Sequence, residues 1–375
     1  MKHMQRGYIL FLTISVLAVM TIIVTQIFYI GGAYNLYVPL TFEREKAKQL
    51  ALSGISIATA QLLSQDKQFY GSKDSSKEAG KDTKDPKDAS EKKSDTEKLK
   101  DNPEKNKKDL LKTLLLVQNQ WQEFNLTTPK DGIDGKIKIC ITCESGKINL
   151  NALYNISQKA FYSIDSKDTT ELMIKMMTDR IKEFYKNIDV QIILIDILKK
   201  QKQPFSTPMD LLSHKKFSFF ADTVFYVPSE GKKQEKFDDT TQSSKIYLAD
   251  IFTTYADDFH IDPWLLSPSM QVLLGFKSDK KLKKEDIDMM LEKISLTDVA
   301  WDTTWDTSLK ELYGKEYKAL PKEIVPFLST KFEPRVFSVV CYGKVGRIEQ
   351  KLLAILERST EDKGDVVMVK KIYWL

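Results

Sequence analysis

The chain has 375 residues, enough for one sizeable core and for two domains. Its formal net charge of +5 is small for this length, and much of the lysine lies in one segment, so the balance makes no case for nucleic-acid binding. Three cysteines are odd in number and too few for a disulfide framework, and no glycine-rich phosphate loop, H-E-x-x-H or G-x-S-x-G occurs, which removes the common enzyme signatures.

Arg6-Gly7 is followed by the apolar run Tyr8 to Ile30, and no charge appears between Arg6 and Glu43. A bilayer core needs about 20 apolar residues in a helix, so this run can span it. Lys2 and Arg6 place the short N-terminus on the cytoplasmic side and the rest of the chain beyond the membrane. A cleavable signal would be shorter and end in small residues of the A-x-A kind, whereas this run ends Phe28-Tyr29-Ile30-Gly31-Gly32. On hydropathy alone, an uncleaved signal anchor is the favoured reading.

Gly31-Gly32 and Pro39 predict a break or bend. Beyond it Ala47, Leu50, Ala51, Gly54, Ile55, Ala58 and Leu62 recur at helical spacing, so the apolar helix continues as an amphipathic one. Gly71 to Lys108 is a tract of Lys, Asp, Glu and Ser with almost no apolar residue, read as a disordered, solvated insert. Asp109 to Phe124 returns to helical periodicity, Asp131-Gly132 and Asp134-Gly135 signal turns, and Lys136 to Cys143 alternates as a half-buried strand.

From Asn151 to about Thr330 the pattern is mainly helical. Candidate elements are 170–186, 190–198, 208–213, 246–255, 269–275, 284–294 and 308–317. Strand candidates return at 336–342, 347–356 and 366–374, with turns at Gly343 to Gly346 and Asp362-Lys363-Gly364. With Lys136 to Cys143 they make an antiparallel sheet of about four strands packed on the N-terminal helix, split in sequence by the helical insertion.

Cys140-x-x-Cys143 lies in a strand, where a spacing of three puts the two thiols on opposite faces, and no second pair completes a zinc site. Cys143 and Cys341 share apolar faces, which leaves open either a bridge between neighbouring strands or two reduced core thiols. Asp257, Asp258, His260 and Asp262 cluster before Pro263-Trp264. Carboxylates this dense can hold calcium, although the spacing is not that of an EF-hand; helix capping and turn formation are the other role. His260 has no nucleophile beside it in sequence, and His3 and His214 are isolated.

A glycine at the charged-to-apolar border, followed by a hydrophobic helix whose second half is amphipathic, resembles the type IV pilins and pseudopilins. Gly7 matches the residue before the prepilin peptidase cut, which makes Tyr8 the first mature residue. That class usually has glutamate at the fifth mature position, where this chain has Leu12. Its absence marks one family, the minor pseudopilin K of type II secretion systems (general secretion pathway protein K). Residues 45–54 are similar to that family's alanine-rich helix. Glu144-Ser145-Gly146-Lys147-Ile148-Asn149-Leu150-Asn151, continuing through Ala152-Leu153, matches its ESGKINLNAL segment, and residues 263–268 stand where it has a second turn.

The resemblance implies an α+β fold: a pilin-like long N-terminal helix packed on a small antiparallel sheet, with an inserted mainly helical domain. It divides the chain into a leader 1–7, the transmembrane and pilin helix 8–64, the charged insert 65–108, a first pilin-like part 109–150, the helical domain 151–330 and C-terminal strands 331–375. It implies no enzyme and no certain cofactor, with calcium in the helical domain as a family trait. In that family the fifth-residue carboxylate of an incoming subunit is thought to pair with the N-terminal ammonium of the subunit above. Either charge alone in lipid is costly. A subunit with Leu12 then cannot dock beneath another, but can receive the next one below, which places it at the tip. The implied partners are the other minor pseudopilins in a tip complex, the major pseudopilin below and the prepilin peptidase. The location is the bacterial inner membrane, single-pass, with a periplasmic C-terminal domain and an N-methylated first residue. The rivals are a minor pilin of a type IV pilus or competence system, and an uncleaved, membrane-anchored periplasmic binding module.

Overall fold

The computed structural model describes residues 2–63, 103–162, 169–185, 188–225, 245–256, 258–276, 284–294, 305–329, 331–361 and 364–375. Most of the predicted charged insert, and Asp257, fall outside these residues.

Helix α1 runs over Lys2–Leu63 without interruption. The predicted break is absent: Pro39 is held within the helix, and nothing lies within 4 Å of where a side chain on Gly31 or Gly32 would sit. A proline removes one backbone bond and crowds the preceding turn. The sheet against which α1 packs begins only at Glu43, so no neighbour fixes a bend at Pro39. Past that point the expected face is buried: Ala47, Leu50, Ala51, Ile55, Ala58 and Leu62 are all at most 7% exposed.

Helix α2 spans Pro103–Val117. It therefore takes in residues 103–108, which the sequence assigned to the disordered insert; proline suits a first helical position, where its missing N–H has no partner to lose. The helix also stops earlier than its periodicity suggested. Asn119 adopts φ 58°, a left-handed conformation that Asn tolerates better than most residues, and the chain reverses into β1 (Gln122–Leu126). A four-residue helix, α3 (Thr128–Asp131), leads to β2 (Gly135–Cys143).

The main sheet is antiparallel with order β1-β2-β7-β8-β9, where β7 is Val336–Val345, β8 Ile348–Glu361 and β9 Gly364–Trp374. It has one strand more than expected, because β1 was concealed inside the helical-looking stretch before Phe124. Its one face covers α1. Gly343 sets how close the two come, since a Cβ there would overlap the Ala47 carbonyl of α1. Gly54 of α1 meets Cys341 from the other side, at 3.0 Å from Sγ to the position of a Cβ.

Between β2 and β7 lie two short strand pairs, parallel β3 (Ile148–Asn149) with β6 (Phe252–Thr253) and antiparallel β4 (Tyr154–Asn155) with β5 (Ala160–Phe161). The helices there are α4 (Thr169–Phe184), α5 (Val190–Lys200), α6 (Leu248–Ile251), α7 (Pro268–Leu273), α8 (Lys284–Lys293) and α9 (Trp305–Tyr313), with 3-10 turns such as Pro208–Ser213. The expected helix over 246–255 is only α6. Phe252 and Thr253, an aromatic and a β-branched residue, leave the helix to pair with β3. The class is α+β, a long N-terminal helix on an antiparallel sheet with a mainly helical insertion between two of its strands.

Candidate functional site

Two parts of the molecule carry the residues singled out in the sequence: the exposed half of α1, and the junction where the chain leaves the sheet after β2.

Among the described residues, α1 is the one helix long and apolar enough to cross a membrane. From Phe11 to Gly32 its side chains are exposed, Phe11, Ile14, Leu17, Ile23, Phe28 and Tyr29 among them. Ser15, Thr21 and Thr25 donate their hydroxyls to carbonyls one turn back, at 2.9, 2.8 and 2.7 Å, so these polar groups are satisfied within the helix itself. Gly7 and Tyr8 lie within this helix, and Leu12 on it is 51% exposed.

At the junction, Glu144 and Lys147 face each other across a 3-10 turn, with Lys147 Nζ donating to Glu144 Oε1 at 2.5 Å and both side chains 3% exposed. Burying charges is unfavourable unless each is paired and hydrogen-bonded. Here Lys147 also donates to Ser338 Oγ of β7 at 3.0 Å, and the Thr253 hydroxyl of β6 donates to Glu144. Gly146 packs against the Leu265 backbone so closely that a Cβ would overlap its carbonyl. Asn149 donates to the Ala256 and Asp258 carbonyls at 2.7 and 3.2 Å, and its Oδ1 caps Asn151. Asn151 binds both carbonyl and N–H of Phe205, at 3.0 and 2.8 Å. The motif is therefore a latch: its polar side chains satisfy backbone and side-chain groups from the sheet and from distant parts of the insertion.

Residues that sequence spacing did not signal complete the latch. Asn119 donates to the Leu266 carbonyl at 2.8 Å, Tyr313 to the Trp264 carbonyl at 2.9 Å, and Gln271 to Leu266 at 2.9 Å. Buried Asp250 accepts from Ser269 N and Oγ at 3.1 and 3.0 Å, and its burial raises its pKa.

The described members of the acidic cluster, Asp258, His260 and Asp262, take different partners. Asp262 turns inward, accepting from Trp264 N at 2.9 Å, and burial pushes its pKa up to about 7 against the pull of the Trp264 and Leu265 N–H groups. Asp258 pairs with His260 Nδ1 at 2.5 Å. Among the described residues, which leave out Asp257, no three His, Cys, Asp or Glu side chains are placed to hold one metal ion, and Asp262 serves in turn formation. A polar cleft of about 360 Å³ opens beside them, lined by Ser145, Asp258, His260, Asp262, Lys331 and Arg335.

All three thiols are buried and free. The open bridge between Cys143 and Cys341 is excluded by register: Cys341 pairs with Ile139, and Cys143 with Phe337. The two are four steps apart along the ladder, roughly 13 Å, against the Cα separation of about 4.4–6.8 Å that a disulfide needs. Burial pushes Cys143 and Cys341 up to about 12 and Cys140 further, which leaves them unreactive.

No protein-family model matches the chain, and no curated protein matches it. The solved GspK-GspI-GspJ complex from the type 2 secretion system of enterotoxigenic Escherichia coli contains a chain similar to this one, at 11% identity and a TM-score of 0.36, covering 72% of this chain and 94% of that one.

Proposed function

We propose that this chain is a minor pseudopilin acting at the tip of a type II secretion pseudopilus, where it starts and caps assembly in support of protein export. The observation that carries the reading is the division of α1. The stretch from Gly7 to Phe42 is apolar and uncharged, with Leu12 at the fifth position from Tyr8 and its described side chains largely exposed; the stretch from Ala47 to Leu62 is locked under a sheet. A helix of this kind anchors in the membrane before assembly and packs among like helices afterwards. Without a carboxylate at residue 12, it has no partner to offer the ammonium group of a subunit above. Its partners are then other minor pseudopilins, the major pseudopilin below and the prepilin peptidase, and it performs no catalysis. The domain lies on the periplasmic side of a bacterial inner membrane.

The test is the mass of the N-terminal peptide from protein isolated from its host's membranes. A chain starting at an N-methylated Tyr8 is expected. One still starting at Met1 in cells with an active prepilin peptidase would sink the proposal. The polar cleft lined by Asp258, His260 and Lys331 favours a second reading, an uncleaved, anchored binding module, and that outcome would leave it in the lead. A minor pilin of a type IV pilus shares the processing. In a secretion-deficient host, Leu12→Glu that keeps export intact would count against a tip role.

A further inference from the structure

The sheet has two ends, and one of them lies where α1 emerges from its exposed apolar stretch. Gly346, in the turn between β7 and β8, sits against the carboxylate of Glu43, and Gly135 at the start of β2 meets Leu50 and the Lys344 carbonyl. Lys136 pairs with Lys344 in the ladder, and α3 closes the β1–β2 hairpin at this same end. The latch and the insertion leave from the opposite end, after Cys143.

The charges at this end are not balanced. Arg44, Lys46, Lys130, Lys344 and Arg347 are all exposed, and none has an ion-pair partner among the described residues. Most of the neighbouring acids are engaged. Asp131 accepts from Thr127 N at 2.9 Å and Asp134 from Thr128 N at 2.7 Å. Glu123 is held by Lys136 and Lys138, Glu45 by Lys48, and Glu349 by Lys351. Asp131 and Asp134, though hydrogen-bonded to backbone N–H groups, keep their charge. With Glu43, three unpaired acids thus stand against five unpaired cations among the described residues, and the rim stays net positive.

The helix fixes how far this rim stands from a bilayer. The uncharged run over residues 7–42 is roughly 54 Å long at about 1.5 Å per residue, while a hydrocarbon core is about 30 Å thick. Centred on the core, the run leaves about 12 Å on each side, which covers the headgroup layer and less than one Debye length of about 8–10 Å beyond it. Exposed Tyr37 falls in that interval and exposed Tyr34 at its inner edge, where aromatic side chains favour the interface.

We infer that the α1-proximal rim, through Arg44, Lys130, Lys344 and Arg347, binds anionic phospholipid headgroups of the membrane in which α1 is anchored. This rests on the reading of α1 as a membrane anchor. The contact holds the globular part down on the bilayer surface until assembly lifts it away, and it is screened by salt like other juxtamembrane basic patches.

The experiment uses the full chain in vesicles with and without phosphatidylglycerol. Because Cys140, Cys143 and Cys341 are buried, a Thr127→Cys thiol takes a fluorophore selectively beside the rim. Quenching by a headgroup-attached quencher is then measured. Stronger quenching in anionic vesicles is expected, falling as salt is raised. Lys344→Glu with Arg347→Glu should abolish the excess, each lost cation weakening association about fivefold, while Lys175→Glu in α4 leaves it unchanged. Equal quenching in both lipids, an excess indifferent to salt, or one that survives the reversals would each overturn the inference. The salt series on the unreversed chain decides even if the reversed chain misfolds. Release of the chain from both vesicle types by alkaline carbonate would instead sink the anchor reading, and this inference with it.

Discussion

Two contact zones hold the molecule together, and they use opposite chemistry. Between α1 and the sheet the contact is dry. Alanines and a glycine on the helix meet Gly343, Ile139 and Cys341, and the fit depends on atoms that are absent. Between the sheet and the insertion the contact is polar, built from Glu144, Lys147, Ser338, Thr253 and Asn149. The first zone is specified by shape, because close-packed backbone admits no extra carbon. The second is specified mainly by charge and hydrogen bonding, where a missing partner is costly, with Gly146 against the Leu265 backbone as a close fit of its own.

Substitutions can break each zone separately. The largest effect is expected for Gly343→Ala, whose methyl group would drive α1 off the sheet. A loss of more than about 4 kcal/mol by denaturant titration is predicted, whereas Gly32→Ala, in open space, should stabilise α1 slightly. If Gly343→Ala is tolerated, the shape argument fails. Next comes Lys147→Met, which strands a buried carboxylate and should cost about 3–5 kcal/mol. The double variant with Glu144→Gln should recover much of that, and a double-mutant cycle without coupling would show that the pair is not a unit.

Asp262 sharpens the contrast through pH. Its folded pKa of about 7 lies above the ordinary carboxylate value of 3.8, so the folded state holds more protons between them. Its contribution to stability therefore falls as pH rises from about 4 to about 7, by at most roughly 1.4 kcal/mol per pH unit. Asp262→Asn keeps an acceptor for Trp264 N and should flatten that part of the stability profile. An unchanged profile would mean that Asp262 is ionised throughout. The smallest effect belongs to neither zone: Arg180→Ala removes an exposed pair with Glu183 and should change stability by less than about 0.5 kcal/mol.

The dry zone was legible in the sequence, because helical spacing names its buried residues directly from Ala47 to Leu62 and strand alternation gives β2 and β7 to β9. What the sequence concealed has local causes. β1 was hidden because its Phe124 continues the apolar spacing of α2, and only the left-handed Asn119 divides them. Pro39 suggested a break that an unpacked helix does not make. The latch was half legible: residues 144–151 stood out as a segment, but their partners Thr253, Ser338 and Phe205 lie between 54 and 191 positions away, and no spacing rule reaches so far. Cys143 and Cys341 looked able to bridge because a shared face can be read from alternation, whereas register along the ladder cannot.

The insertion leaves the sheet after Cys143 and returns at Val336, and Cys143 stands directly opposite Phe337 on the neighbouring strand. Its two attachment points are thus side by side at one end of the sheet, while α1 leaves from the other. A pull along α1 runs from the helix into β7 and β8 through the glycine contacts and ends there. The insertion hangs beside that line of force and is not stretched by it, so a load on the anchor tests the dry zone and spares the polar one.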